Sequence, residues 1–403
     1  MMASFRTIDD TEVSGKRVVL RADLNVPIED GEVTDATRIR AAARTIGELA
    51  DKGAAVLVLS HFGRPKGKPV AGMSLKPVAA ALESALGRPV TFVDSDWRDD
   101  HALEAAQAAE PGGVLLFENT RFHPGEEAND EALAAKFAAL GEVYVNDAFS
   151  TAHRAHASTE AIARLLPAFA GRTMEAELGA LEKALSHPDR PLIAIVGGAK
   201  ISTKIDLLDN LSSKVDALVI GGAMANTFLA AAGRPVGKSL IEGDKLSVAR
   251  QVAAQAEGKG CQLILPVDVV AATAFEAGAP HRICRIEDVA ADEMILDIGT
   301  ATVTDLEHRL DIAATVVWNG PFGAFELPPF DAGTNAVARH VANLTEAGRL
   351  LSVAGGGDTV AALNRAGVLD RFSFVSTAGG AFLEWLEGKR LPGVAVLRND
   401  AAE

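Results

Sequence analysis

Positive charge is what this chain is short of. Its 403 residues hold 39 lysines and arginines against 54 aspartates and glutamates, a net charge of -15. That balance argues against a nucleic-acid surface and makes any local gathering of arginines informative. Cysteine is scarcer still: Cys261 and Cys284 stand far apart and in no metal-binding spacing. Reduced thiols in a cytoplasmic setting are the expectation, and a disulfide scaffold is disfavoured. Long apolar runs are missing. The mild stretch from Asp216 to Gly233 is broken by Gly221, Gly222, Asn226 and Thr227, so it reads as strand, turn and helix, with no membrane partner. The first ten residues lack the apolar core of a signal peptide. No G-x-G-x-x-G occurs, which weakens a nicotinamide-dependent dehydrogenase reading. Aromatic residues make up only 5%, and no zipper pattern is present, so a monomer is expected.

What is present is a repeated alternation. The length predicts two domains of roughly 180 to 200 residues, and 48% hydrophobic with 23% charged residues fits a globular chain. In the first half, apolar runs at Arg17–Ala22, Ala54–Leu59, Val114–Phe117 and Glu142–Val145 each pass into polar and basic residues. Alanine-rich segments such as Thr37 to Lys52 and Leu75 to Leu86 lie between them with helical spacing. Continuous apolar strands alternating with helices predict an α/β fold, each domain a parallel sheet with helices on both faces. Thr173 to Ser186, with Leu178, Leu181 and Leu185 on one face, predicts a helix connecting the two domains. The expected division is 1–172, connector 173–186 and 187–388.

In parallel sheets ligands bind beyond the carboxyl ends of the strands. Arg38, His61, Arg64, Arg121 and Arg154 all fall at such positions. Any one of them is explained by a solvated loop; together they predict a pocket for a small polyanion, with Asp23 and Asn25 placed to hold its hydroxyls. His153 and His156 have a spacing open to a metal, but Arg154 between them would repel a cation.

The second half ends its strands in glycine instead. Leu350 to Leu363 is the clearest case, an aliphatic run meeting Gly355, Gly356 and Gly357, then Asp358, Thr359 and a helix. Glycines admit close approach of a ligand, and the first helical turn leaves amides pointing outward, so a phosphate seat is predicted, with a capped turn as the plainer reading. Asp358 is either a helix cap or a contact to phosphate-bound Mg²⁺, directly or through water. Lys200 and Lys204, four apart after a glycine turn, are expected on one helical face, where an anion would separate them. Asn319 opens a glycine-rich loop that carries Glu326, an acid suited to a ribose hydroxyl. Gly233 to Ser239 misses a P-loop by one glycine and follows a helix-like segment, so a plain loop is expected there.

Taken in order, Arg21-Ala-Asp-Leu-Asn-Val-Pro27, Ser60-His-Phe-Gly-Arg-Pro65, Asn146-Asp-Ala-Phe-Ser-Thr-Ala-His-Arg-Ala-His156, Val196-Gly-Gly-Ala-Lys200, Trp318-Asn-Gly-Pro321 and Gly355-Gly-Gly-Asp-Thr359 resemble the signatures of the phosphoglycerate kinase family across nearly the whole chain. The resemblance implies two Rossmann-like domains across a cleft, closing about the connector, with residues 389–403 returning to the first. It implies reversible phosphoryl transfer between 1,3-bisphosphoglycerate and ADP, giving 3-phosphoglycerate and ATP, with Mg²⁺ carried by the nucleotide. Position by position, Asp23, Asn25, Arg38, His61, Phe62, Gly63, Arg64, Arg121 and Arg154 match the acceptor site. Lys200, Lys204, Asn319, Glu326, Gly356, Gly357, Asp358 and Thr359 match the nucleotide site, and Arg38, Lys204, Gly356 and Gly357 are implied to act on the transferring group. Ser150, Ala223 and Ala378 depart from the pattern, standing where glycine is expected.

Overall fold

A computed structural model describes residues 5–95 and 97–398. The chain divides into two compact units, the first reaching Leu178 and reclaiming the chain from Arg390, the second spanning Gly179–Lys389. Both are Rossmann-like.

The first unit is built on a six-stranded parallel sheet with the spatial order Thr91–Val93, Val114–Phe117, Ala55–Leu59, Arg17–Ala22, Val143–Asp147, Ala168–Ala170. Leu20, Val56, Val58 and Val145 are fully enclosed, as a sheet covered on both faces requires. Truncating Leu20 to alanine costs about 2–5 kcal/mol. The expected helices form at Thr37–Asp51 and Lys76–Leu86. The first turns Ile39, Ala43, Ile46 and Ala50 inward at helical spacing and stops before Gly53, whose φ of 83° ends it. The second begins with Pro77 in its first turn and ends at left-handed Gly87.

The second unit repeats the plan with the order Gln262–Ile264, Ala217–Ile220, Leu192–Val196, Thr315–Asn319, Leu351–Gly355, Phe374–Ser376. Trp318, Val316, Val337 and Leu363 share its core. Gln262 to Asp268 reads from its apolar pattern as one further strand of this set, and the structure divides it. The parallel ladder stops at Ile264, because Pro266 has no N–H to extend it. From Asp268 the chain enters a separate antiparallel sheet, pairing Asp268–Ala272 with His281–Arg285 and Met294–Ile298.

The connector is an α-helix over Arg172–Leu181 that loosens into a π-helical turn at Glu182–Ser186. Leu178, Leu181 and Leu185 are all buried, as their spacing predicts. Its start is fixed by Asp147, the last residue of a central strand, whose Oδ1 accepts from the amides of Thr173 at 2.7 Å and Met174 at 3.2 Å. Arg172 is gripped by Asp9, Glu48 and Glu175. The unit boundary thus falls inside this helix. The returning segment lies against the first unit: Gly393 donates to Ala152 O at 2.9 Å, Asn146 Nδ2 to Gly393 O at 3.2 Å, and Leu391, Val394 and Leu397 are buried.

Candidate active site

Strand register decides what meets in the first unit. Ala22 lies opposite Asp147, and Arg21 opposite Leu59, so the loops after three neighbouring strands leave the sheet side by side. They carry Asp23 and Asn25, His61 to Arg64, and Ser150 to Arg154. Arg38 enters from the first turn of the helix Thr37–Asp51, where a cation opposes the helix dipole and no acidic residue of that turn offsets it. The offset comes from across the site: Arg38 Nη1 donates to Asn25 O at 2.8 Å and lies 3.2 Å from Asp23 Oδ2. Asp23 also accepts from the Asn25 amide at 3.1 Å and from Ser150 Oγ at 2.5 Å. Asn25 Oδ1 accepts from the Gly63 amide at 3.0 Å, and Gly63 O accepts from Arg121 Nη1 at 2.8 Å. Asn119, which the sequence reading passed over, ties the far side: its Oδ1 accepts from the amides of Phe62 and Arg121, and its Nδ2 donates to Phe62 O.

His61 is 6% exposed, with Nδ1 3.0 Å from Nη2 of the fully enclosed Arg21. Burial, then the Arg21 charge, holds this imidazole well below its ordinary range, so it is neutral. With Nδ1 accepting from a guanidinium, the proton sits on Nε2, which is left to donate. The same field reaches His156, where burial and then Arg21, Arg121 and Arg154 press the ring down to about 3. Arg38 and Arg121 therefore share one network with Asp23 and Asn25, while His61 is bonded to Arg21 and feels the charges of Arg121 and Arg38. Arg154 is exposed, donating from Nε to His153 Nε2 at 3.1 Å, and contributes its charge to that network. Arg64 is exposed, and no ion pair holds it among the described residues.

The second unit offers a different chemistry. Lys204 Nζ donates to Gly197 O at 2.7 Å, to Asn319 Oδ1 at 2.6 Å and to Asn319 O at 3.3 Å. Burial lowers its pKa to about 8, opposed by the charge of Asp358. Asn319 Nδ2 donates to Gly355 O at 2.8 Å, and the Gly320 amide donates to Thr359 Oγ1 at 2.7 Å, so the Asn319 loop and the Gly355 to Thr359 corner hold each other. The helix Gly357–Arg365 starts at this corner, leaving its first-turn amides without intrahelical partners. Asp358 is exposed and Thr359 buried. Gly356, at φ 98°, takes a backbone conformation open mainly to glycine, and a Cβ on it would meet Asn319 Nδ2 at 2.6 Å. Gly356→Ala is accordingly expected to weaken binding at this corner of the phosphate-bearing ligand that the sequence resemblance implies, ADP, by about tenfold or more, measured by calorimetric titration; unchanged affinity would remove this corner from the binding site.

Beside the corner lies a cavity of about 550 Å³ with walls that include Gly198, Gly222, Leu240, Met294, Glu326 and Asp358. Lys238, from the loop the sequence reading set aside, is on its wall as well. The reading of Lys200 and Lys204 as one helical face is corrected. Lys200 has extended dihedrals, Ile201–Thr203 is a 3₁₀ turn, and the helix starts only at Ile205, so Lys200 is exposed while Lys204 turns inward. Among the described residues no three or more His, Cys, Asp or Glu gather to hold a metal ion unaided. Asp358, exposed at the cavity, fits a hard cation whose remaining ligands are phosphate and water oxygens.

Residues 8–389 match the family model described as phosphoglycerate kinase. The chain is 63% identical over 394 residues to a phosphoglycerate kinase of Rhodospirillum centenum, covering 98% of this chain and 99% of that one. It is 62% identical over 398 residues to one of Mesorhizobium japonicum, covering 98% and 100%. Among solved structures, the phosphoglycerate kinase from Coxiella burnetii is similar at a TM-score of 0.91 and 43% identity, covering 98% of each chain. That from Pyrococcus horikoshii gives 0.79 and 28%, covering 97% of this chain and 98% of that one.

Proposed function

The chain belongs to the phosphoglycerate kinase family, and from that premise we propose how its side chains carry the reaction. It is a glycolytic phosphotransferase with a carboxyl group as acceptor, moving phosphate reversibly between 1,3-bisphosphoglycerate and ADP. One observation carries the assignment of roles. The hydrogen-bonded set Asp23, Asn25, Arg38 and Arg121, with His61 held by Arg21, lies at the strand ends of one sheet, and Lys204 with the Gly356 corner lies at those of the other.

The acceptor carboxylate of 3-phosphoglycerate is ionised near neutral pH, so no general base is required, and catalysis rests on alignment and charge. Arg64, Arg121 and Arg154 hold the 3-phosphate and carboxylate charges, with the Nε2–H of His61 as a neutral donor. Asp23 and Asn25 hold the hydroxyl. Lys204 and the amides of Gly356 and Gly357 face the nucleotide phosphates, and Glu326 the ribose. Arg38 and Lys204 take up the charge that develops on the phosphoryl group in transit. Mg²⁺ bound with the nucleotide supplies further neutralisation of phosphate charge, and Asp358 is the residue that would hold it. Because acceptor and nucleotide are carried on separate units, transfer requires the units to close about the helix that begins at Arg172. We place the protein in the cytoplasm as a monomer, a setting that fits its two free, buried thiols.

A coupled assay with 3-phosphoglycerate, ATP and Mg²⁺ tests this reading. Turnover is expected with this acceptor and not with other small carboxylic acids, and solution scattering is expected to show a more compact particle with both ligands than with either alone. Equal rates across acceptors would reject the acceptor assignment.

A further inference from the structure

We propose that Ser150 is a positioning residue of the acceptor site, fixing the Asp23 carboxylate so that an incoming hydroxyl takes the place of Arg38 on it and releases Arg38 to the reacting group. The inference rests on the reading of Asp23 as the hydroxyl-binding residue. Its basis is the arrangement of donors around one carboxylate. Ser150 sits in the 3₁₀ turn Phe149–Thr151, three residues beyond the end of the strand Val143–Asp147. That strand runs beside Arg17–Ala22 with Ala22 opposite Asp147, so the turn faces Asp23 directly. Ser150 Oγ donates to Asp23 Oδ2 at 2.5 Å, while the Asn25 amide donates to Oδ1 at 3.1 Å. One donor on each oxygen leaves the carboxyl plane no freedom to turn.

Arg38 is the looser partner, 3.2 Å from Oδ2 and 3.5 Å from Oδ1, with its better bond of 2.8 Å directed to Asn25 O. A carboxylate has about four lone-pair sites. The ligand hydroxyl therefore displaces the long Arg38 contacts and leaves the short Ser150 bond in place. Without the Ser150 hydroxyl, Oδ2 is held by Arg38 alone, so the carboxylate follows the guanidinium and presents no fixed acceptor to the ligand.

The test is a double-mutant cycle read in steady-state kinetics, with melting temperatures to confirm that each variant is folded. Ser150→Ala is expected to raise KM for 3-phosphoglycerate by about fivefold to tenfold, leaving KM for MgATP unchanged. Ser150→Thr, which keeps a hydroxyl, should stay within about twofold of the parent. In the Asp23→Asn background, Ser150→Ala should have no further effect. A folded Ser150→Ala with unchanged KM for the acceptor, or one whose effect is the same in both backgrounds, overturns the inference about Ser150 and leaves Asp23 untouched. If Asp23→Asn by itself leaves that KM unchanged, the reading of Asp23 is at fault, and the inference falls with it.

Discussion

Arg38→Ala is expected to cut turnover by about a hundredfold or more while calorimetric affinity for MgATP stays close to that of the parent. The separation follows from where the side chain is anchored. Its bonds run to Asn25 O and Asp23, all within the first unit. Its position at the helix start is unfavourable without a partner, so the charge serves the site and not the helix. Removing it leaves Asp23 with only Ser150 and the Asn25 amide, and makes the acceptor loop more anionic where the phosphoryl group must pass. Near-normal turnover would take Arg38 out of the reaction.

Lys204→Met is expected to lower turnover by about a hundredfold or more as well, with an added signature in pH. In the free protein burial holds Lys204 at about 8. Below that pH it is an ammonium; above it, the charge is lost. The parent's kcat/KM for nucleotide should therefore fall as pH rises through about 8, approaching tenfold per unit. Nucleotide phosphates favour the ammonium once bound, so kcat should hold to higher pH than kcat/KM. Methionine has no ionisable group, and the variant's profile should lose this limb. Its melting temperature should fall only slightly, since relief of a charge that burial disfavours offsets the loss of the bonds to Gly197 O and Asn319. A parent profile flat from pH 7 to 9.5, or a Met variant that retains the limb, would contradict the role given to Lys204.

Much of this was legible in the chain because parallel strands advertise themselves. Arg17–Ala22, Leu192–Val196 and Thr315–Asn319 are continuous apolar runs, and the rule that ligands lie past their carboxyl ends marks the residues that follow. The rule marks His61 and Arg121 as candidates, with Lys204 and the Gly355 to Thr359 corner, while Arg38 enters from the start of a helix. What stayed hidden depends on register or on turn geometry, which local patterns do not encode. Ser150 meets Asp23 across 127 residues of sequence, and Asn119 binds Phe62 across 57. The split of Lys200 from Lys204 depends on a single 3₁₀ turn, too short to leave a periodicity. The sheet at Asp268–Ala272 was masked because an apolar run containing Pro266 can be cut into strands in more than one way.

Asp147 belongs to two elements at once, closing a central strand and receiving the opening amides of the helix that begins at Arg172. Gly171, just before that helix, leaves no slack: a Cβ there would lie 2.4 Å from Asp147 Oδ1. Strand end and helix start therefore behave as a stiff joint, with the turn bearing Ser150 hung directly from it. A displacement of that turn would therefore pass to the start of the helix through one short, rigid path.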